Sequence, residues 1–214
     1  MIRSWDKGSR EPLKGLIESR FQNKPVRDRI SSAIYRLRTQ QNRLELASLK
    51  MQQRDKELFR KCVDAQLSKD SARASMYAEE CAEIRKIAKV TLQCQLALER
   101  GVFRLEAALE FGDLAHNMLP VAGVVRTLKT QISGIMPEVS SELGMISEML
   151  GDIVIQAGTS TAGVFNAEVT SSEAQGIMNE ASAIAEQKMK EKFPEIPPAA
   201  SSTYREKTSQ LFPS

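Results

Sequence analysis

The 214-residue chain predicts an all-α protein built on one long antiparallel helical hairpin, with smaller helices following it. Three observations carry that expectation. No proline lies between Pro25 and Pro120, and Gly101 is the first glycine in that span. Apolar or small residues recur at alternating steps of four and three, the spacing of a helical seam. Aromatic residues are only 5% of the chain while apolar residues are 42%, which suits helices packed through narrow stripes of Ala, Leu and Ile.

The first stripe runs Val26, Ile30, Ala33, Leu37, Leu44, Ala47, Met51 and Leu58, interrupted at Gln40 and Arg54. The second runs Ala74, Tyr77, Cys81, Ile84, Ala88, Thr91, Leu98, Val102, Leu105 and Leu109. Their phases differ, and the slip falls in the polar stretch "LSKDSAR", where Asp70 and Ser71 are candidate helix caps. A turn there gives arms of about 44 residues, each ~65 Å long at 1.5 Å per residue. One continuous helix with a stutter is the alternative, because no Gly or Pro marks the turn.

Downstream, Pro120 is expected to end or kink the second helix. A third helix carries Val121, Val125, Leu128, Ile132 and Ile135 in phase. Pro137 opens a fourth, with Val139, Leu143, Ile146, Leu150 and Ile153 on one face. The stretch "QAGTSTAG" predicts a flexible break. A fifth helix over 172–192 aligns Ile177, Ala181 and Ile184, with Met178, Ala185 and Met189 beside them. The expected organisation is an N-terminal segment 1–22, a helical core 23–157, a linker 158–171, the fifth helix 172–192, and a proline hook with a polar tail over 193–214.

Charge is unevenly distributed. Residues 1–68 hold 16 Lys/Arg against 8 Asp/Glu, whereas residues 130–187 hold 8 acids and no Lys or Arg. A basic front and an acidic back attract each other, within one chain or between copies. The plain alternative is an unevenly charged, solvated helix surface.

The chemistry of an enzyme is not visible. His116 is the single histidine, and "DLAH" supplies one of the two acid–histidine motifs a di-metal bundle requires. No glycine-rich phosphate loop of the GxxxxGK type is present. The expectation is no enzyme, no metal and no cofactor. Cys62, Cys81 and Cys94 form no CxxC pair and fit reduced thiols of a cytoplasmic protein. The first 20 residues carry no apolar block of a signal peptide, and nowhere is there an apolar run long enough to span a bilayer. The basic front lacks a nucleic-acid reader motif, so no specific nucleic acid is expected.

A membrane surface suits the N-terminus better. Ile2, Trp5, Leu13, Leu16, Ile17 and Phe21 lie among Arg3, Lys7, Arg10, Lys14 and Arg20. That mixture matches an interfacial anchor on anionic lipid, with an ordinary lead-in packed on the hairpin as the alternative.

Taken in order, "VFRLEAALEFGDL", "LKTQISGIMPEVSSELGMISEMLGDI" and "SEAQGIMNEASAIAEQKMKEKFPEIP" behind a basic hairpin resemble the ESCRT-III superfamily, specifically its archaeal cell-division (Cdv) B-type members, over roughly residues 15–198. The resemblance implies an ESCRT-III-like fold and a non-enzymatic subunit. Such a subunit polymerises with copies of itself and with related subunits on anionic membranes at the division site, drives constriction, and is remodelled by a partner AAA ATPase. It also implies that Phe193, Pro194, Ile196 and Pro197 form the motif that docks in the ATPase's microtubule-interacting and trafficking domain. Leucine often stands in the family where Phe193 stands here. Some relatives carry a winged-helix-like module after the hook, and this chain is expected to lack it. On this reading the basic face Arg27, Arg29, Arg36, Arg38, Arg43 and Lys50 meets lipid or a neighbouring subunit. The acidic helix, through Glu173, Glu180 and Glu186, folds back on the hairpin and blocks assembly. A phage-shock-type membrane-stabilising coiled-coil polymer and a plain helical adaptor are the competing functions.

Overall fold

The computed structural model describes residues 25–112, 114–158 and 167–196, with side-chain surroundings given for these except at 114–116, 157–158 and 167–171. All five described elements are helices: α1 (Val26–Leu67), α2 (Ser71–Phe111), α3 (Leu114–Ile132), α4 (Pro137–Gly158) and α5 (Ala167–Lys192).

The hairpin turn falls where the phase slip placed it. Ser68 N–H donates to Asp64 O at 3.0 Å and Asp70 N–H to Ala65 O at 2.9 Å, which satisfies the last carbonyls of α1. Lys69, at φ 58, takes the left-handed position that glycine usually fills. A lysine there costs about 1–2 kcal/mol in backbone strain. Asp70 then caps α2, its carboxylate accepting from Arg73 N–H at 3.1 Å. The arms have 42 and 41 residues.

The seam between the arms is not purely apolar. Ile30, Ala33, Leu37, Leu44, Leu58, Cys62 and Ala65 of α1 are buried, and so are Gln40, Ser48 and Asp55. The stripe therefore steps through 48 and 55 where the apolar pattern pointed to 47 and 54. On α2 the buried set includes Ala74, Ala78, Cys81, Ala88, Thr91, Leu98, Val102 and Leu105.

Helix α2 ends before Pro120. Gly112, at φ 83, is its left-handed cap and donates to Ala108 O at 3.0 Å. Pro120 instead lies inside α3, where its missing N–H removes one helical bond without ending the helix. The expected break at Pro120 is thus corrected to Gly112, the residue free to adopt positive φ. Pro137 opens α4, as expected. Ser140 secures that corner, donating from its hydroxyl to Lys129 O at 2.8 Å.

One core joins the base of the hairpin to the smaller helices. It includes Ile30, Leu37 and Leu44 of α1, Leu98 and Leu105 of α2, Val121, Val125 and Leu128 of α3, Leu143, Ile146 and Leu150 of α4, and Ile177, Ala181 and Ala185 of α5. Each of the predicted stripes on α3, α4 and α5 contributes. Close approach is set by glycine at two crossings. A Cβ on Gly101 would sit 3.2 Å from Val121 Cγ1, and one on Gly123 would sit 3.3 Å from Ala174 Cβ. Helix α5 starts five residues before the expected 172 and α4 runs to Gly158, so less of the expected linker lies between helices.

Candidate functional site

Helix α5 lies back along α2 and α3, and its acidic residues meet the cations of α2 in order. Glu173 Oε2 accepts from Arg104 Nη1 at 3.0 Å. Glu180 pairs with Arg100. Glu186 Oε1 accepts from Lys89 Nζ at 2.7 Å. Antiparallel helices pair rising numbers with falling ones, which is the order seen here. The hydrogen bond and the charge of Lys89 hold the Glu186 carboxyl below the usual carboxylate range. Between these pairs, Ile177, Met178, Ala181 and Ala185 are buried. The arm is therefore closed by an apolar stripe flanked by three ion pairs.

The hook after α5 is held as well. Phe193 is 7% exposed although it follows the last helical residue. Arg85 of α2 organises its surroundings. Its Nε and Nη2 donate to the two carboxylate oxygens of Asp55 at 2.6 and 3.0 Å. Its Nη1 donates to the Pro194 carbonyl at 2.7 Å. Its guanidinium carbon lies 5.6 Å from the Phe193 ring centre and 6.0 Å from that of Phe59, within cation–π range. Ile196 packs on Cys62 and Ala78 beside Tyr77. Pro194 and Glu195 are exposed. Pro197 lies outside the described residues.

The six cations of the expected basic face do not share one side of α1. Arg29, Arg36, Arg43 and Lys50 are seven residues apart and form one stripe, while Arg27 and Arg38, eleven apart, fall on the other side of the helix. In this conformation α4 covers the start of the stripe. Arg29 is buried and donates to Gln156 Oε1 at 2.5 Å. Arg36 Nε donates to Glu142 Oε1 at 2.7 Å. Arg38 pairs with Glu106 of α2. Arg43 and Lys50 are exposed, as is Arg27. In this conformation the six are divided into a covered pair, Arg29 and Arg36, held by acceptors on α4, and an exposed remainder.

Exposed apolar side chains mark the outer side of the hairpin. Tyr35, Leu46 and Leu49 share one face of α1 and are exposed, and so is Phe103 of α2. Phe103 borders a shallow groove with Arg38, Gln41, Asn42, Glu99 and Val102.

The anchor residues Ile2, Trp5, Leu13, Leu16, Ile17 and Phe21 lie outside the described residues, as does the side chain of His116. Among the described residues no group of His, Cys, Asp and Glu could hold a metal ion, and no helix is long and apolar enough to cross a membrane. The three cysteines are buried and unpaired. Burial pushes the Cys62 thiol up, raises Cys81 to about 11 with help from the Asp55 charge, and raises Cys94 to about 12. Burial and a raised thiol suit side chains that pack between the helices.

Asp55 and Arg85 were not singled out by the sequence pattern. Their signal was faint: a carboxylate one place after the expected seam residue Arg54, and a cation inside "IRKIAKV".

A helical hairpin closed by its own C-terminal arm is the architecture of an ESCRT-III-like protein. Two proteins of Sulfolobus acidocaldarius are similar in sequence. Cell division protein B1 is 49% identical over 185 residues, 86% of this chain and 86% of that protein. Cell division protein B is 35% identical over 168 residues, 78% of this chain and 64% of that protein. No family model matches the chain, and no solved structure does. The chain belongs to the archaeal cell-division protein B family, the Cdv B-type branch of the ESCRT-III superfamily.

Proposed function

We propose that this protein is a filament-forming subunit of archaeal cell division, stored in a closed form and assembled when α5 is released. In the assembled form its hairpins lie side by side on an anionic membrane and drive constriction there. A partner AAA ATPase then remodels the assembly by seizing Phe193, Pro194, Ile196 and Pro197 through its microtubule-interacting and trafficking domain. The relatives named for cell division support the setting. The ordered pairing of Glu173, Glu180 and Glu186 with Arg104, Arg100 and Lys89 carries the closed-form reading, since it couples the acidic arm to the hairpin residue by residue. Self-association is supported by Tyr35, Leu46, Leu49 and Phe103, large apolar side chains left in water on a hairpin with room beside them.

The test compares the parent chain with Gly123→Ile, which places bulk where Ala174 lies 3.3 Å away and wedges α5 off without touching a charge or the hook. The variant is expected to pellet with phosphatidylserine-containing vesicles and to form filaments in negative stain at concentrations where the parent does neither. A variant that is opened, as seen by an increase in radius of gyration in small-angle scattering, yet stays monomeric on vesicles overturns this function.

A further inference from the structure

The Arg85 cluster is more than a helix contact. Asp55 is 1% exposed and the Arg85 side chain 15%, so a charged pair has been taken out of water inside the hairpin. Such a pair is costly to bury and is repaid by geometry only when its remaining donors are used. Here the fork uses Nε and Nη2 on Asp55, and Nη1 donates to the Pro194 carbonyl. A proline carbonyl is a recognisable acceptor, because proline fixes the local backbone and presents that oxygen from an extended chain. The flat cation also faces the rings of Phe193 and Phe59. Three residues beyond Phe193, Ile196 reaches a second small apolar site of Cys62, Ala78 and Tyr77. The hairpin thus reads an aromatic side chain, a proline carbonyl and a second apolar anchor of one extended peptide, and it does so on α1 and α2, apart from the ion pairs that hold α5.

From this juxtaposition we propose that Asp55, Arg85 and Phe59, with Cys62, Ala78 and Tyr77, form a peptide-binding site on the hairpin whose ligand is the chain's own Phe193–Ile196 segment, and that this segment occupies either the hairpin site or another protein's groove, never both. The second half rests on the reading of the hook as the ATPase-docking motif. The steric reason is direct. A groove that grips an extended peptide through two apolar anchors must enclose Phe193 and Ile196, and both are already turned inward against the hairpin. Among the described residues here, Pro194 and Glu195 are exposed, with Lys190, Glu191 and Lys192 on the last turn of α5. Those exposed lysines allow an acidic groove to be sensed, but not filled, until Arg85 lets go.

The experiment uses the full chain. Arg85→Lys keeps a cation opposite Asp55, so that carboxylate is not orphaned, but loses the fork and the planar face. Phe59→Leu keeps an apolar body and the Asp55–Arg85 pair, and loses one ring. Trypsin cleavage of the Lys192–Phe193 bond, followed by mass spectrometry, reads hook release without any partner. Thermal unfolding by circular dichroism monitors the hairpin. Cleavage is expected to quicken at least about tenfold in Arg85→Lys and less in Phe59→Leu, with the hairpin melt within a few degrees of the parent. Capture of the full chain by a purified microtubule-interacting and trafficking domain is expected to rise by the same factor. Equal cleavage rates in parent and both variants overturn the site. Faster cleavage with unchanged capture, where capture still requires Phe193 and Ile196, overturns the exclusivity. If Phe193→Ala/Ile196→Ala in the Arg85→Lys background leaves capture unaltered, the docking-motif reading fails, while the cleavage rates still decide the hairpin site. Should Arg85→Lys fail to fold, Phe59→Leu alone decides both points by the sign of its effects.

Discussion

The closed arm is held by two kinds of force, and substitution of Ile177 separates them. Ile177 is 4% exposed and Met178 5%, and Ala181 and Ala185 are buried beside them. Burying an Ile or Met side chain fully is worth about 1.5–3 kcal/mol each. The ion pairs are of a different order. The Arg104–Glu173 side chains are 37% and 27% exposed and the Arg100–Glu180 side chains 50% and 47%, so water screens both. Exposed pairs of this kind contribute about 0.2–1 kcal/mol each. Lys89–Glu186 is open to solvent and serves orientation more than strength. The apolar stripe therefore dominates. Ile177→Ala is expected to cost about 2 kcal/mol, at the low end for a buried aliphatic because an outer helix relaxes around the gap. That is a shift of about thirtyfold in the opening equilibrium. Replacing Glu173, Glu180 and Glu186 together by Gln is expected to shift it only about fivefold. Amide exchange across residues 174–190, measured by mass spectrometry at neutral pH and moderate salt, reports that equilibrium directly. A triple-Gln chain that opens as far as Ile177→Ala, or further, refutes the ranking and makes charge the lock.

Two further outcomes follow from the geometry. Gly151 lies within α4 with nothing inside 4 Å of an added Cβ, so Gly151→Ala is expected to gain about 0.5–1 kcal/mol and to raise the melting temperature by a few degrees; a lower melting temperature refutes it. Glu186 has its folded carboxyl held below the ordinary range by Lys89, so its contribution to closure is fully present above that range and is lost as the pH falls through the lowered value. Exchange of α5 relative to the intrinsic amide rate at each pH is thus expected to stay level near neutrality and to rise on acidification, with a smaller rise in Lys89→Met; identical profiles count against the contact.

Much of this was readable in the sequence because it was written in apolar spacing. The stripes on α3, α4 and α5 sit in the core as their phases indicated, and the slip between the two hairpin stripes marks the turn. Failures occurred where a polar residue did an apolar residue's work, or where a backbone angle decided. Gln40, Ser48 and Asp55 occupy the α1–α2 seam, so the frame drawn through Ala47 and Arg54 is off by one there. Lys69 takes a left-handed angle that sequence assigns to glycine. Gly112 ends α2 before Pro120 has any say, because a cap needs positive φ whereas a buried proline ring survives inside a packed helix. The partner of Asp55 is 30 residues away on the other arm. Such a pair becomes visible only when the register of the hairpin is fixed, and here that register rests on the unmarked turn at Lys69.

The basic stripe makes the closed form a structure with two covers, not one. Helix α5 rests on α2 and α3, and its release frees Lys89, Arg100 and Arg104 of α2 from their glutamates. Arg29 and Arg36 remain bound to Gln156 and Glu142 of α4. An opening confined to α5 therefore adds the cations of α2 to the exposed Arg43 and Lys50, and keeps Arg29 and Arg36 of the α1 stripe covered. Full use of the stripe requires α4 to leave as well, and α4 is anchored by Leu143, Ile146, Leu150 and Ile153, all fully buried. Four such side chains bury more apolar surface than Ile177 and Met178 do on α5, so α5 is expected to detach before α4. If the proposed assembly takes place on lipid, its early contacts come from α2 and the exposed end of the α1 stripe, and Arg29 and Arg36 engage only in a later, more open state.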